Sequence, residues 1–180
     1  EVYVNGKLVG MHRGAYSAFA FEIGTALKLG AENEIMVKAD NASRPDVIPV
    51  NHNLFGVYGG IYRPVWLEIK PKEHIDRVAV NALCDGHLLA DVYLSGAKSG
   101  YCLLATVENL KSGELLKEHS FQLTDSATFY RLDTQWEDIL PWTPESPNLY
   151  LLKLKLLNRS GQLLHQHQER IGFRLSLIHI

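Results

Sequence analysis

The side chains best suited to chemistry lie between Asn41 and Tyr58. That interval holds Asn51, His52, Asn53, Phe55 and Tyr58. Amides pair with hydroxyl groups and rings stack on apolar faces, so this mixture suits a small polar ligand. The stretch is long for a connection, and long ordered loops are often functional. His165 and His167 put two imidazoles on one strand face. A metal would need a third ligand that the spacing does not supply, and a solvated strand face is the favoured reading. Cys84 and Cys102 are 18 positions apart with no Cys-x-x-Cys, which disfavours structural zinc. A disulfide would require two strands to bring them together, and two buried free thiols are the expectation. No Gly-rich phosphate loop and no Gly-x-Ser-x-Gly occurs, so no cofactor and no metal is implied.

The elements that must position these groups are strands. In Tyr150–Leu156 the apolar residues recur at every second position, with Lys153 and Lys155 between them. Arg77–Ala82 and Ala90–Ser95 repeat the alternation, and Tyr101–Glu108 and Leu115–Leu123 are further strand candidates. Turn signals separate them at Asn5-Gly6, Asp85-Gly86, Lys111-Ser112-Gly113 and Arg159-Ser160-Gly161. Many short strands with frequent turns indicate sandwiches. Thr25–Lys28 alone reads as a helical turn.

Composition narrows the function classes. The 180 residues are 46% hydrophobic and 21% charged, ordinary globular values that exclude disorder and low complexity. With 18 basic and 20 acidic side chains the net charge is −2, and no basic block could neutralise a run of phosphates, so nucleic-acid binding is disfavoured. No apolar run approaches the ~20 residues of a membrane helix. The opening Glu1-Val2-Tyr3-Val4 lacks a starting Met and the features of a signal peptide, as if cut from something longer.

A boundary is expected near Pro71. Ile61–Ile69 reads as a strand with Pro64 inside it, which confines it to a sheet edge or a bulge. Within it, Trp66 is expected in the core. Lys70-Pro71-Lys72-Glu73 then breaks the pattern, and the segment from His74 to Phe173 has the size of an immunoglobulin-like sandwich. The earlier part is small for a sandwich with a complete core.

Six stretches resemble, in order, motifs of glycoside hydrolase family 2, the β-galactosidases, β-glucuronidases and β-mannosidases. Val2–Gly10 resembles its opening hairpin, and His12–Phe19 the segment that follows. Gly30–Asn41 resembles "G-x-N-x-L-x-V-x-V-D-N". Tyr58-Gly59-Gly60-Ile61-Tyr62-Arg63-Pro64-Val65-Trp66-Leu67 is similar to "Y-G-G-I-Y-R-x-V-W-L". Leu140–Tyr150 resembles "L-W-S-P-E-x-P-x-L-Y", and Arg170–Arg174 resembles "R-x-G-F-R".

The resemblance implies an all-β chain: a partial jelly-roll sugar-binding sandwich over 1–71, then an immunoglobulin-like β-sandwich over 72–174. Residues 175–180 read as a tail that departs from the family and is expected to be non-native. A catalytic (β/α)₈ barrel would follow, absent here. The implied role is the non-catalytic front of a retaining exo-glycosidase of β-galactosidase type. The alternatives are a stand-alone carbohydrate-binding or adhesion module, and a spacer that orients the barrel and forms homo-oligomer contacts. The implied partner is a carbohydrate; a periplasmic or secreted parent fits, but the sequence does not fix the compartment.

Glycoside hydrolysis needs two carboxyl groups roughly 5–9.5 Å apart. In the family both are barrel glutamates, the acid/base following an Asn. Asn33-Glu34 repeats that pair in a context that reads as turn chemistry, and Glu22 and Glu137-Asp138 have no better claim, so the chain is expected to be inert. Asn51, His52, Asn53, Phe55 and Tyr58 are the substrate-binding candidates in the intact parent. Where many members place an Asp, this chain has Leu54 with Asn53 beside it. Asn53 as a substitute and a purely structural loop both stay open. Gly59 and Gly60 are expected to allow close backbone approach or positive φ, and Arg63 to pair a carboxylate such as Asp40.

Overall fold

The computed structural model describes residues 1–14, 16–42, 44–47, 59–124 and 128–175. The chain is all-β, and it divides into two compact units, Glu1–Leu67 and Glu68–Ile180.

The first unit contains a three-stranded antiparallel sheet in the order β2-β1-β3, formed by Val2–Val4 (β1), Lys7–Gly10 (β2) and Ile35–Val37 (β3). Asn5 and Gly6 turn the β1–β2 hairpin with φ of 51° and 78°, the paired positive values that a two-residue turn demands. The expected helical turn is a 3₁₀ turn over Gly24–Ala26. Val4 is completely buried, and it is the one fully buried apolar side chain among the described residues of this unit.

Residues 61–69 do not form the strand that their composition suggests. A strand needs a ladder partner, and Pro64 removes one donor from an already short run. Trp66 is 68% exposed and not in the core of this chain.

Among the described residues, the second unit is a sandwich of seven strands. His74–Ala82 (β4), His87–Ser95 (β5) and Phe129–Gln135 (β8) form one antiparallel sheet in the order β4-β5-β8. Cys102–Asn109 (β6), Leu115–Gln122 (β7), Tyr150–Leu157 (β9) and Leu163–Ile171 (β10) form the other, in the order β10-β9-β6-β7. The arrangement is immunoglobulin-like, with β7 pairing onto β6. Strict alternation in β5 and β9 buries Leu88, Ala90, Val92, Tyr150, Leu152, Leu154 and Leu156 in one core.

Two details fix the ends of this sandwich. The Tyr150 hydroxyl accepts a hydrogen bond from Leu140 N–H at 2.8 Å, tying the start of β9 back to the preceding connection in the manner of a tyrosine corner. The indole N–H of the buried Trp136 donates to Thr134 Oγ1 at 2.8 Å, so the largest core side chain has its polar atom satisfied. Cys84 and Cys102 are free and half-buried, not fully buried as their apolar surroundings suggest. Cys102 Sγ lies 3.1 Å from Ser120 Oγ on the neighbouring strand.

Candidate functional site

Asn51, His52, Asn53, Phe55 and Tyr58 lie outside the described residues. The flanks of their loop are described. Asn41 and Gly59 meet across it: a Cβ on Gly59 would sit 3.0 Å from the Asn41 side-chain amide. A side chain at position 59 would therefore require the Asn41 amide to shift by a few tenths of an ångström. Gly60 follows with φ of 79°, a left-handed value that a side chain would strain.

The expected partners Arg63 and Asp40 are both exposed, and among the described residues they are not paired with each other. The Asp40 carboxylate turns back to accept from Ala42 N–H at 2.9 Å, a local Asx turn. The Arg63 guanidinium lies 6.0 Å from the Tyr62 ring centroid.

Residues that the sequence did not single out gather in the same unit. Arg44 grips Asp46 with two hydrogen bonds of 3.0 and 3.1 Å, and Arg13 approaches the same carboxylate at 3.7 Å. The Arg44 hydrogen bonds hold the Asp46 carboxyl below its usual range. His12 stacks on Phe19 at 4.5 Å, and Phe19 packs on Phe21 at 5.5 Å. Phe21 in turn needs Gly10, because a Cβ there would lie 2.3 Å from its ring. The signal was present in the spacing of His12, Phe19 and Phe21, but without regular periodicity it could not be read as a cluster.

Asn33-Glu34 is built into a turn. The Asn33 carboxamide accepts from Asn5 Nδ2 at 2.8 Å and from Lys28 N–H at 2.7 Å. It donates to the carbonyls of Lys28 and Ala31, both at 2.9 Å. Asn5 N–H donates to Glu34 O at 2.9 Å. This network spends the Asn33 amide on holding the Gly24–Glu34 connection to the β1–β2 hairpin. An open polar depression of about 550 Å³ beside it is lined by Asn5, Lys28, Glu32, Asn33 and Glu34.

In the second unit, His165 and His167 are half-buried. Ile75 N–H donates to His165 Nδ1 at 3.2 Å. Among the described residues no group of three His, Cys, Asp or Glu side chains could hold a metal ion, and no helix is long and apolar enough to cross a membrane.

Comparison with known proteins assigns the family. The model of the glycosyl hydrolases family 2 matches residues 73–174, more than half of the chain. The chain belongs to glycosyl hydrolase family 2. A β-glucuronidase of Bacteroides fragilis is 45% identical over 192 aligned residues, covering 97% of this chain and 27% of that protein. A putative β-glucuronidase of Formosa agariphila is 33% identical over 180 residues, covering 97% of this chain and 21% of that protein. The crystal structure of a putative β-galactosidase from Bacteroides fragilis superposes with a TM-score of 0.75 at 39% identity, over 95% of this chain and 28% of that one. The chain thus spans about a quarter of the length of the family-2 relatives it matches.

Proposed function

We propose that this chain is the non-catalytic N-terminal portion of a retaining family-2 exo-glycosidase, β-galactosidase-like, that supports and orients a catalytic barrel. The observation that carries the reading is the match of the whole 73–174 sandwich to the family-2 model, in a chain that spans 21–27% of its relatives. The relatives' names, β-glucuronidase and β-galactosidase, point to a carbohydrate as the substrate of the parent.

The two units fit unequal halves of this role. Residues 72–174 form a complete core and act as the immunoglobulin-like support. Residues 1–71 act as the C-terminal part of a jelly-roll sugar-binding domain, a reading supported by a short sheet with, among the described residues, a single fully buried apolar residue and wide apolar exposure. In this reading Asn51, His52, Asn53, Phe55 and Tyr58 offer amides and rings to the sugar.

The test compares two proteins on chromogenic β-galactosides and β-glucuronides: the 180-residue chain and the product of the whole reading frame that contains it. The expected outcome is no turnover by the chain and turnover by the larger product, with a raised KM for Asn53→Ala in the larger product. Turnover by the chain alone would overturn the proposal. Saturable sub-millimolar sugar binding by the chain, lost in Asn53→Ala, together with a reading frame lacking any barrel, would replace it by a stand-alone binding module.

A further inference from the structure

The inner face of the edge strand β10 carries His165, His167 and Glu169, where core strands carry apolar residues. The two imidazoles border a groove of about 350 Å³, lined also by Glu68, Lys70, Ile75 and Asp76. The groove runs along the seam where β10, the edge of one sheet, meets β4, the edge of the other.

The hydrogen bonding across this seam is asymmetric. Among the described residues, strand β4 pairs with β5 on one side only, so its opposite edge has N–H groups with no ladder partner there. The residue at the start of that edge is Ile75, a fully buried core residue. Its N–H is taken by His165 Nδ1 at 3.2 Å. An N–H can only donate, so His165 Nδ1 must hold a lone pair, and the imidazole must be neutral with its proton on Nε2.

The neighbouring His74 behaves differently. Its Nδ1 lies 2.8 Å from Pro71 O, and a carbonyl only accepts, so this nitrogen carries a proton. Its Nε2 lies 3.6 Å from Asp76 Oδ1. His74 Nδ1 thus donates, whereas His165 Nδ1 accepts and loses its contact when it takes a proton. The two rings meet edge to face at 5.9 Å.

From these contacts we infer that His165 is a proton-operated latch, which holds the first strand of the sandwich to its last and releases it on protonation. A proton on Nδ1 removes the acceptor and leaves the buried Ile75 N–H unpaired. It also places an imidazolium among the charged groups of the groove. From the stretch before β4 these are Glu68 and Lys70, with Lys70 Nζ 3.3 Å from Glu68 Oε2 and 3.4 Å from Asp76 Oδ1. From β4 they are His74 and Asp76; from β10 it is His167, whose Nε2 lies 3.7 Å from Glu169 Oε2 beside the groove. Burial and then the cations His74, Lys70 and His167 oppose the charge on His165, against a weaker favourable field from Glu68. The latch is therefore closed at neutral and alkaline pH and opens as pH falls below the ordinary histidine range, about 6.5. Opening frees the N-terminal end of β4, and with it the segment Glu68–Lys70 that Asp76 clamps.

The experiment follows the purified 180-residue chain by NMR between pH 5 and 8. Long-range ¹⁵N correlations should show His165 protonated on Nε2 and bare on Nδ1 at pH 8. Amide exchange at Ile75, corrected for its intrinsic pH dependence, should lose protection by up to about tenfold per pH unit below the His165 midpoint. Val92, in the middle of β5, should stay protected through the same range. His165→Gln retains an acceptor that does not titrate, and should make Ile75 protection flat across the range. A proton on His165 Nδ1 at pH 8 would overturn the inference, as would an Ile75 protection that survives the imidazole titration. The same pH course in His165→Gln and the parent chain would do so too. If His165→Gln does not fold, the wild-type tautomer and exchange profile decide alone.

Discussion

Two residues set sharp local demands. Gly86 turns the β4–β5 hairpin with φ of 88°, and a Cβ there would lie 2.1 Å from the carbonyl oxygen of Trp136. The clash is with backbone, and that backbone is itself fixed because Trp136 N–H donates to Gly86 O at 2.9 Å. Strain and overpacking act together, so Gly86→Ala should lower unfolding stability by about 2–4 kcal/mol, read as an earlier urea midpoint at constant slope. His119 makes a different demand. It lies edge-on to Trp136 at 4.6 Å, and its buried Nε2 has no hydrogen-bond partner among the described residues. Burial, helped by Lys117, lowers its pKa. The folded state thus binds fewer protons than the unfolded chain below pH ~6.5. Stability from this site is fully present above that pH and is lost as pH falls toward the lowered folded value. Urea midpoints measured from pH 8 to 5 should decline, and His119→Phe should flatten the decline in part, leaving the share that belongs to His165.

At the scale of elements, the alternation of apolar residues was enough to place β4, β5, β6, β7 and β9, because a half-buried strand imposes period two on its own sequence. Strand β8 was less legible. Its inner face is Tyr130, Leu132 and Thr134, and Thr134 earns its burial through hydrogen bonds to Trp136 Nε1 and Leu88 O rather than through apolarity. The run 61–69 failed in the opposite sense: its composition reads as a strand, but a strand exists only with a partner. The candidate site was legible as a motif and a loop, not as geometry. Asx turns and stacked rings such as Asp40–Ala42 and His12–Phe19 join positions that no periodicity links. These differences predict an order of opening. Strands β5, β6 and β9 are central and bury whole faces, whereas β1, β2 and β3 are three or four residues long and bury little. Native-state amide exchange should therefore show the highest protection in Val92, Ala105 and Leu154, with the β1–β3 amides exchanging at least about a hundredfold faster.

At the scale of the molecule, the two units differ most in what they leave to solvent. The second unit encloses Trp136, Tyr150 and Phe173. The first exposes Tyr16, Phe19, Val65, Trp66 and Leu67, with Val65 at 72% and Leu67 at 60%. Large apolar groups left to solvent in this number are a liability for association. A net charge of only −2 gives weak electrostatic repulsion between copies. The 180-residue chain should consequently bind a hydrophobic dye such as ANS in native buffer and self-associate as concentration rises. Both signals should trace to the first unit. Replacing Val65 and Leu67 by Lys should reduce dye fluorescence and association, with unfolding of the second unit unchanged, because neither residue contributes to its core. Equal dye binding by that double variant would mean that the sticky surface lies elsewhere. Such a result would remove the exposed apolar groups as support for reading residues 1–71 as part of a larger sugar-binding domain.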